Sequence, residues 1–174
     1  AGCGLVGLGV HMAEDISIAE TVIMTETQPV MNNLTANFER NYPKTSLQND
    51  GSLRVCKLDW NSFQEDCEVA QIKPHSIDTI VGTDVVFSTK LVEPLLKTLR
   101  FLAHDQTMIY LCLQERCKDS HQLLLDKAKD HELEVHDISE EVTSVSTCEW
   151  GKELECCLLK LTVTPTKEKK RKRK

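Results

Sequence analysis

Apolar residues fall along the chain in short blocks of two kinds, β-prone runs and four-residue repeats, and these predict strands and helices in turn. Leu5, Val6, Leu8, Val10 and Met12 suit a helix packed on a sheet and beginning near Leu5. Thr21-Val22-Ile23-Met24-Thr25 is a β-prone run that ends in Glu26 and reads as a strand. Pro29 stands where a first helical turn tolerates it, and Val30, Leu34 and Phe38 recur at four-residue spacing, predicting an amphipathic helix as far as Asn41. A polar stretch with Pro43 and the turn pair Asp50-Gly51 precedes a second strand at 53–58. The acidic stretch 61–76 reads as a loop, and 77–82 as a third strand. Leu91, Val92, Leu95, Leu96, Leu99 and Leu102 mark the next helix. Residues 107–113 form a continuous apolar strand of the kind buried on both faces. A helix over 119–131 with Leu123, Leu124, Leu125 and Ala128 inside, and strands at 133–138 and 154–163, complete the pattern.

Strands alternating with helices imply an α/β sandwich with a mostly parallel sheet. At 174 residues the chain has the size of one ordinary domain, expected over 1–164 with a disordered basic tail at 165–174. No apolar run approaches the roughly 20 residues that a membrane helix needs. The eight cysteines include no C-x-x-C pair, so a zinc site is not expected, and several fall in predicted strands as small hydrophobes. That usage suits a reducing compartment, the cytosol or nucleus. The last eight residues hold seven of the 21 basic groups, leaving 14 basic against 26 acidic groups and a charge near −12 over residues 1–166. A body so acidic is a poor duplex-binding surface, because nucleic-acid affinity depends on neutralising phosphates. The tail suits a solvated end or a nuclear-localisation signal.

Ligands bind such sheets beyond the carboxyl ends of the strands, and candidate residues fall there in order. Gly2-x-Gly4-x-x-Gly7 has the glycine spacing of a tight turn that lets backbone approach a ligand, ahead of a helix whose N-terminus faces it. Glu26, 24 residues beyond Gly2, is placed to accept ribose hydroxyls, or is simply an exposed strand-end carboxylate. Trp60 offers a flat wall to an adenine ring, or serves as a core or lid residue. Asp59 beside it either caps the turn or accepts from an adenine amino group. Asp84-Val85-Val86-Phe87 sets a carboxylate and an aromatic three positions apart after a buried strand. It is either a loop cap with a core phenylalanine, or a gate for a cationic side chain.

Together these pieces resemble the seven-β-strand protein-lysine methyltransferases that use S-adenosylmethionine. The segment 1–7 is similar to the second half of that family's cofactor motif, Thr25-Glu26 to the acidic end of its second strand, and Leu34, Asn37 and Asn41 to its Leu-x-x-Asn-x-x-x-Asn helix. Leu58-Asp59-Trp60 resembles its Leu-x-Trp element, and the segment 82–87 its Asp-x-x-Tyr/Phe hallmark, with Phe87 in place of the commoner Tyr and Asn61 where Gly is usual.

The resemblance implies a Rossmann-like seven-strand methyltransferase sandwich with an antiparallel C-terminal strand, its first strand expected to lie outside this chain. It implies that Ala1, Gly2 and Gly4 approach the methionine part of S-adenosylmethionine, that Glu26 holds the ribose and Trp60 the adenine, and that backbone near Thr83 borders the base. Asp84 and Phe87 would face an incoming lysine. Implied substrates are chaperones, AAA ATPases or translation factors. Two other readings stay open: an NAD-linked oxidoreductase sharing the glycine turn and acidic ribose residue, and a catalytically inactive methyltransferase fold that recruits partners.

Overall fold

The computed structural model describes residues 2–12, 20–41, 52–114, 117–141 and 156–164. These fall into two compact units, residues 1–72 and 73–174.

In the first unit, helix α1 (Leu5–Met12) is followed by strand β1 (Val22–Glu26), helix α2 (Gln28–Asn41), strand β2 (Leu53–Lys57) and helix α3 (Phe63–Val69). β1 and β2 pair in parallel, Val22 opposite Leu53 and Glu26 opposite Lys57. The core is small: Leu8, Met24, Leu34 and Leu53 are buried together, with Val22, Phe38 and Val55 packed against them. Helix α3 corrects the expectation of a loop over 61–76. Its heptapeptide Phe-Gln-Glu-Asp-Cys-Glu-Val hides no apolar stripe, because one of its two buried residues is a carboxylate, Asp66, beside Cys67.

The second unit holds strand β3 (Ile77–Thr83), helix α4 (Thr89–Leu102), strand β4 (Ala103–Gln114), helix α5 (Lys118–Ala128) with a 3₁₀ turn (Lys129–His131), and strands β5 (Leu133–Asp137) and β6 (Cys156–Val163). The sheet order is β3-β4-β6-β5. β3 and β4 are parallel, and β6 runs antiparallel to both β4 and β5. β6 is thus the one reversed strand in the sheet, as expected of the C-terminal strand.

Three details differ from the sequence pattern. β4 is longer than 107–113, because its polar start bulges: Ile77 faces Ala103, but two residues on Thr79 already faces Met108. The buried Thr107 hydroxyl closes that gap, donating to the Ile77 carbonyl at 2.6 Å and accepting from the His104 N–H at 2.8 Å. β4 is also not buried on both faces. Ile109, Leu111 and Leu113 are buried and Met108, Tyr110 and Cys112 only half so. On α5, Leu124 and Ala128 face the core but Leu125 is exposed, at 39%. The His131 side chain after α5 is only 14% exposed and meets Glu93 at 3.1 Å.

Leu161 sits at the centre of this sheet, opposite Ile109 of β4 and Val135 of β5, and is fully buried. Leu161→Ala is expected to cost about 2–5 kcal/mol of unfolding free energy, the range for a leucine cavity with little room to relax. Urea denaturation measures it, and a loss under 1 kcal/mol would contradict the packing described.

Candidate cofactor and substrate site

The glycine turn is packed against the core on one side and open on the other. Gly2 and Gly4 have left-handed φ of 55° and 85°, where side chains are disfavoured. A Cβ on Gly4 would lie 2.7 Å from Leu34 Cδ1 and 3.2 Å from Met24 Sδ, so the turn and the core fit only without one. A Cβ on Gly2 would meet nothing within 4 Å, so the outer side of the turn is open. Gly7 lets α1 lie directly on the Met24 side chain of β1.

Two polar side chains tie this turn to its unit. Glu26, the last residue of β1, accepts the Gly2 N–H at 2.8 Å with one carboxylate oxygen and the Thr27 N–H at 2.8 Å with the other. Asn37 of α2 donates to the Cys3 carbonyl at 3.1 Å, and Asn41 to the Asn37 carbonyl at 2.8 Å. Burial pushes the Glu26 carboxyl up, but the N–H donors of Thr27 and Gly2 act against it and the net shift is downward. Glu26 is therefore held as a carboxylate at the carboxyl end of β1.

Trp60 stands at the same strand edge of the first unit. The β1–β2 pairing continues one bond past the strands, from the Leu58 N–H to the Glu26 carbonyl at 2.9 Å, and Trp60 is half-buried two residues further on. Asp59 caps the turn, accepting the Asn61 N–H at 2.9 Å and the Asn61 amide at 3.0 Å. Sequence reasoning missed Asp66. It is 8% exposed and accepts the Asp59 N–H at 2.8 Å, the Lys57 ammonium at 2.9 Å and the Ser62 hydroxyl at 3.3 Å. Burial raises its pKa, but these donors outweigh it and hold the group below its ordinary value. The sequence carries a helix-start spacing, Ser62 three residues before Glu65, although the Ser62 hydroxyl donates to Asp66 and does not cap the helix.

In the second unit, Thr83 ends β3 opposite Cys112, and both Thr83 and Asp84 are exposed. Asp84 has a left-handed φ of 53° and donates its N–H to the Cys112 carbonyl at 2.8 Å. The aspartate therefore adds one bond to the parallel ladder and then turns the chain away, in a conformation aspartate adopts more readily than most residues. Two residues later Val86 is buried, and Phe87 is 52% exposed. Ala1 lies outside the described residues. The structure thus joins Gly2, Gly4, Glu26 and Trp60 at one strand edge of the first unit, and keeps Thr83, Asp84 and Phe87 together at the carboxyl end of β3 in the second.

An open depression of about 440 Å³, lined by His75, Arg100, His104, Asp105 and Gln106, lies at the other end of β4. Two of its charged groups pair with residues beyond the lining, Arg100 with Glu132 at 2.8 Å and His104 with Asp78 at 3.0 Å. Among the described residues, no group of three or more His, Cys, Asp and Glu side chains could hold a metal ion, and no helix is long and apolar enough to cross a membrane.

Parallel strand pairs in both units, a reversed strand in the second and a glycine turn held by an acidic strand end in the first are features of the Rossmann-like class, which the methyltransferases share with other nucleoside-binding folds. The chain belongs to the lysine methyltransferase family, whose model matches residues 1–131. It is 27% identical over 127 residues to the protein N-lysine methyltransferase METTL21A of Danio rerio, covering 72% of this chain and 52% of that protein. The chain thus spans about half the length of that curated relative. Among solved structures, Aeropyrum pernix fibrillarin with natively bound S-adenosyl-L-methionine aligns with TM-score 0.58 at 12% identity, covering 92% of this chain and 63% of that one. A predicted O-methyltransferase of Agrobacterium tumefaciens aligns with TM-score 0.59 at 14% identity, covering 95% and 71%. These structural likenesses carry the fold alone.

Proposed function

We propose that the protein is an S-adenosylmethionine-dependent protein-lysine N-methyltransferase, with its methyltransferase domain over 1–164 and a basic tail at 165–174. The observation that carries the reading is the Glu26 carboxylate bound to the Gly2 N–H at the carboxyl end of β1. A strand-end carboxylate beside a backbone turn with open space over Gly2 supports the reading of Glu26 as the ribose acceptor of a nucleoside with a compact charged substituent. Gly2 and Gly4, with Ala1 before them, would border the methionine portion. Glu26 would hold the ribose hydroxyls, Trp60 the adenine face, and the Thr83 backbone the edge of the base. When bound, S-adenosylmethionine supplies a methyl group on a sulfonium, open to in-line attack by a neutral amine.

Asp84 and Phe87 are the residues proposed to meet the substrate lysine, Asp84 orienting it and Phe87 flanking its aliphatic stem. Transfer needs the lysine unprotonated, and desolvation of the lysine as it packs on the half-exposed Phe87 ring would lower its pKa. Alignment then supplies most of the rate, with no dedicated strong base required. Phe87 has no phenol hydroxyl, so its contribution is packing and desolvation. The substrate class is a folded cellular protein such as a chaperone, an AAA ATPase or a translation factor, met in the cytoplasm and, through the tail, in the nucleus.

Family membership and the N-lysine methyltransferase relative support methyl transfer over the NAD-linked reading. Calorimetric titration of the chain with S-adenosylhomocysteine, and separately with NADH, tests the choice. Binding of the former alone is expected, whereas binding of NADH alone would overturn the proposal. Labelled-methyl transfer into a cell lysate, with mass spectrometry of the modified residue, separates an active enzyme from an inactive fold and identifies the substrate.

A further inference from the structure

The turn that carries Trp60 is built around a carboxylate with no place in the family resemblance or in the proposed chemistry. Asp66, in the first turn of α3, reaches back to the end of β2. One oxygen accepts the Asp59 N–H at 2.8 Å and the Ser62 hydroxyl at 3.3 Å, and the other the Lys57 ammonium at 2.9 Å. The backbone closes the same frame, with the Ser62 N–H donating to the Asp59 carbonyl at 3.0 Å and the Asp66 N–H to the Ser62 carbonyl at 3.2 Å. Both ends of the five-residue span from Leu58 to Ser62 are therefore fixed: Leu58 to β1 through the Glu26 carbonyl, and Asp59 and Ser62 to Asp66. Trp60 is at the tip, half-buried, with its two neighbours Asp59 and Asn61 bonded to each other.

A side chain this buried keeps its charge only because its oxygens are supplied with donors, one of them a cation. The cost of that burial has a local return, since the carboxylate accepts the backbone N–H immediately before the tryptophan. An exposed turn of this length would otherwise leave the indole free to sample several rotamers, and ordering it on ligand binding would weaken affinity.

We propose that Asp66 is the positioning residue of the adenine subsite, presetting the Trp60 indole through the Asp59 N–H and so raising affinity for the cofactor's base. This rests on the reading of Trp60 as the adenine wall. Asp66 acts through Trp60 and does not itself touch the ligand.

The chain has two tryptophans, Trp60 and Trp150, so Trp150→Phe leaves Trp60 as the sole indole reporter. In that background, Asp66→Leu keeps a similar side-chain outline but removes the charge and both carboxylate acceptors. The expected results are greater acrylamide quenching of Trp60 without ligand and about tenfold weaker binding of S-adenosylhomocysteine. Asp66→Leu added to Trp60→Ala should weaken binding no further than Trp60→Ala alone. Lys57→Met removes the cation but leaves the acceptor for the Asp59 N–H, and should leave Trp60 quenching unchanged. Unchanged quenching in Asp66→Leu would overturn the role assigned to Asp66, whatever the unsubstituted chain binds. Equal disturbance by Lys57→Met would overturn it too, reducing Asp66 to one half of an ion pair. An Asp66→Leu effect on binding that persists at full size in Trp60→Ala would show that it does not act through the indole. Failure of the unsubstituted chain to bind S-adenosylhomocysteine would instead overturn the cofactor reading, and with it the adenine subsite, and is read in a separate titration.

Discussion

Gly4→Ala is expected to destabilise the first unit by about 2–5 kcal/mol, combining roughly 1–2 kcal/mol for a side chain in left-handed backbone with 1–3 kcal/mol for overpacking. The second contribution arises because the new methyl would stand 2.7 Å from Leu34 Cδ1, and Leu34 is fully buried against Met24. Met24 is itself pressed by Gly7 of α1, so the displaced atoms have nowhere near at hand to go. Gly2→Ala provides the internal control. Gly2 shares the left-handed φ but a Cβ there is clear of other atoms, so only the backbone cost of about 1–2 kcal/mol applies. The difference between the two substitutions isolates the Leu34 contact. Urea denaturation of both variants in the Trp150→Phe background, followed by Trp60 emission, reads the first unit directly. Equal midpoints for the two variants would show that the turn does not pack on Leu34 as described.

The residues legible in the sequence are those whose chemistry and local pattern agree. Val30, Leu34 and Phe38 mark α2 because one apolar stripe meets a core, and Glu26 is found because β-propensity ends there abruptly. Gly2 and Gly4 were readable because only glycine enters left-handed backbone without cost, and both do. Helix α3 was not readable from hydrophobic period. Its buried face presents Asp66 to an inward ring of donors, and an aspartate in an acidic stretch looks solvated until the donors are known. The start of β4 was hidden for a related reason. His104, Asp105 and Gln106 are polar, and the bulge that accommodates them depends on one hydroxyl, Thr107, reaching the Ile77 carbonyl across the sheet. Leu125 shows the opposite failure, an apolar residue in a helical run that lies on the wrong side of the stripe, 39% exposed. Hydrophobic pattern thus reads elements held by apolar burial and misses those organised by a buried polar atom.

Glu26→Ala is expected to weaken S-adenosylhomocysteine binding by about 1–3 kcal/mol, some 5- to 150-fold, the loss for removing a charged hydrogen-bond partner. Calorimetric titration reads it, and an unchanged dissociation constant would show that Glu26 does not hold the ribose. Two effects are combined in that number, because the substitution also releases the Gly2 and Thr27 N–H groups. Glu26→Gln distinguishes them. Its amide keeps one acceptor oxygen but turns an NH₂ toward a backbone donor, so affinity should fall between that of the wild type and of Glu26→Ala. Acid stability gives a readout without ligand. The Glu26 carboxyl is held below its ordinary value of 4.5, so the unfolded chain takes up this proton first as pH falls. The contribution of Glu26 to stability is therefore present above about 4.5 and lost as pH drops through the lower, folded value. Glu26→Gln removes that titration, and its stability relative to the wild type should improve across this acid window. A constant difference between the two from neutral pH down through 4.5 would mean that the carboxylate is not held by the turn.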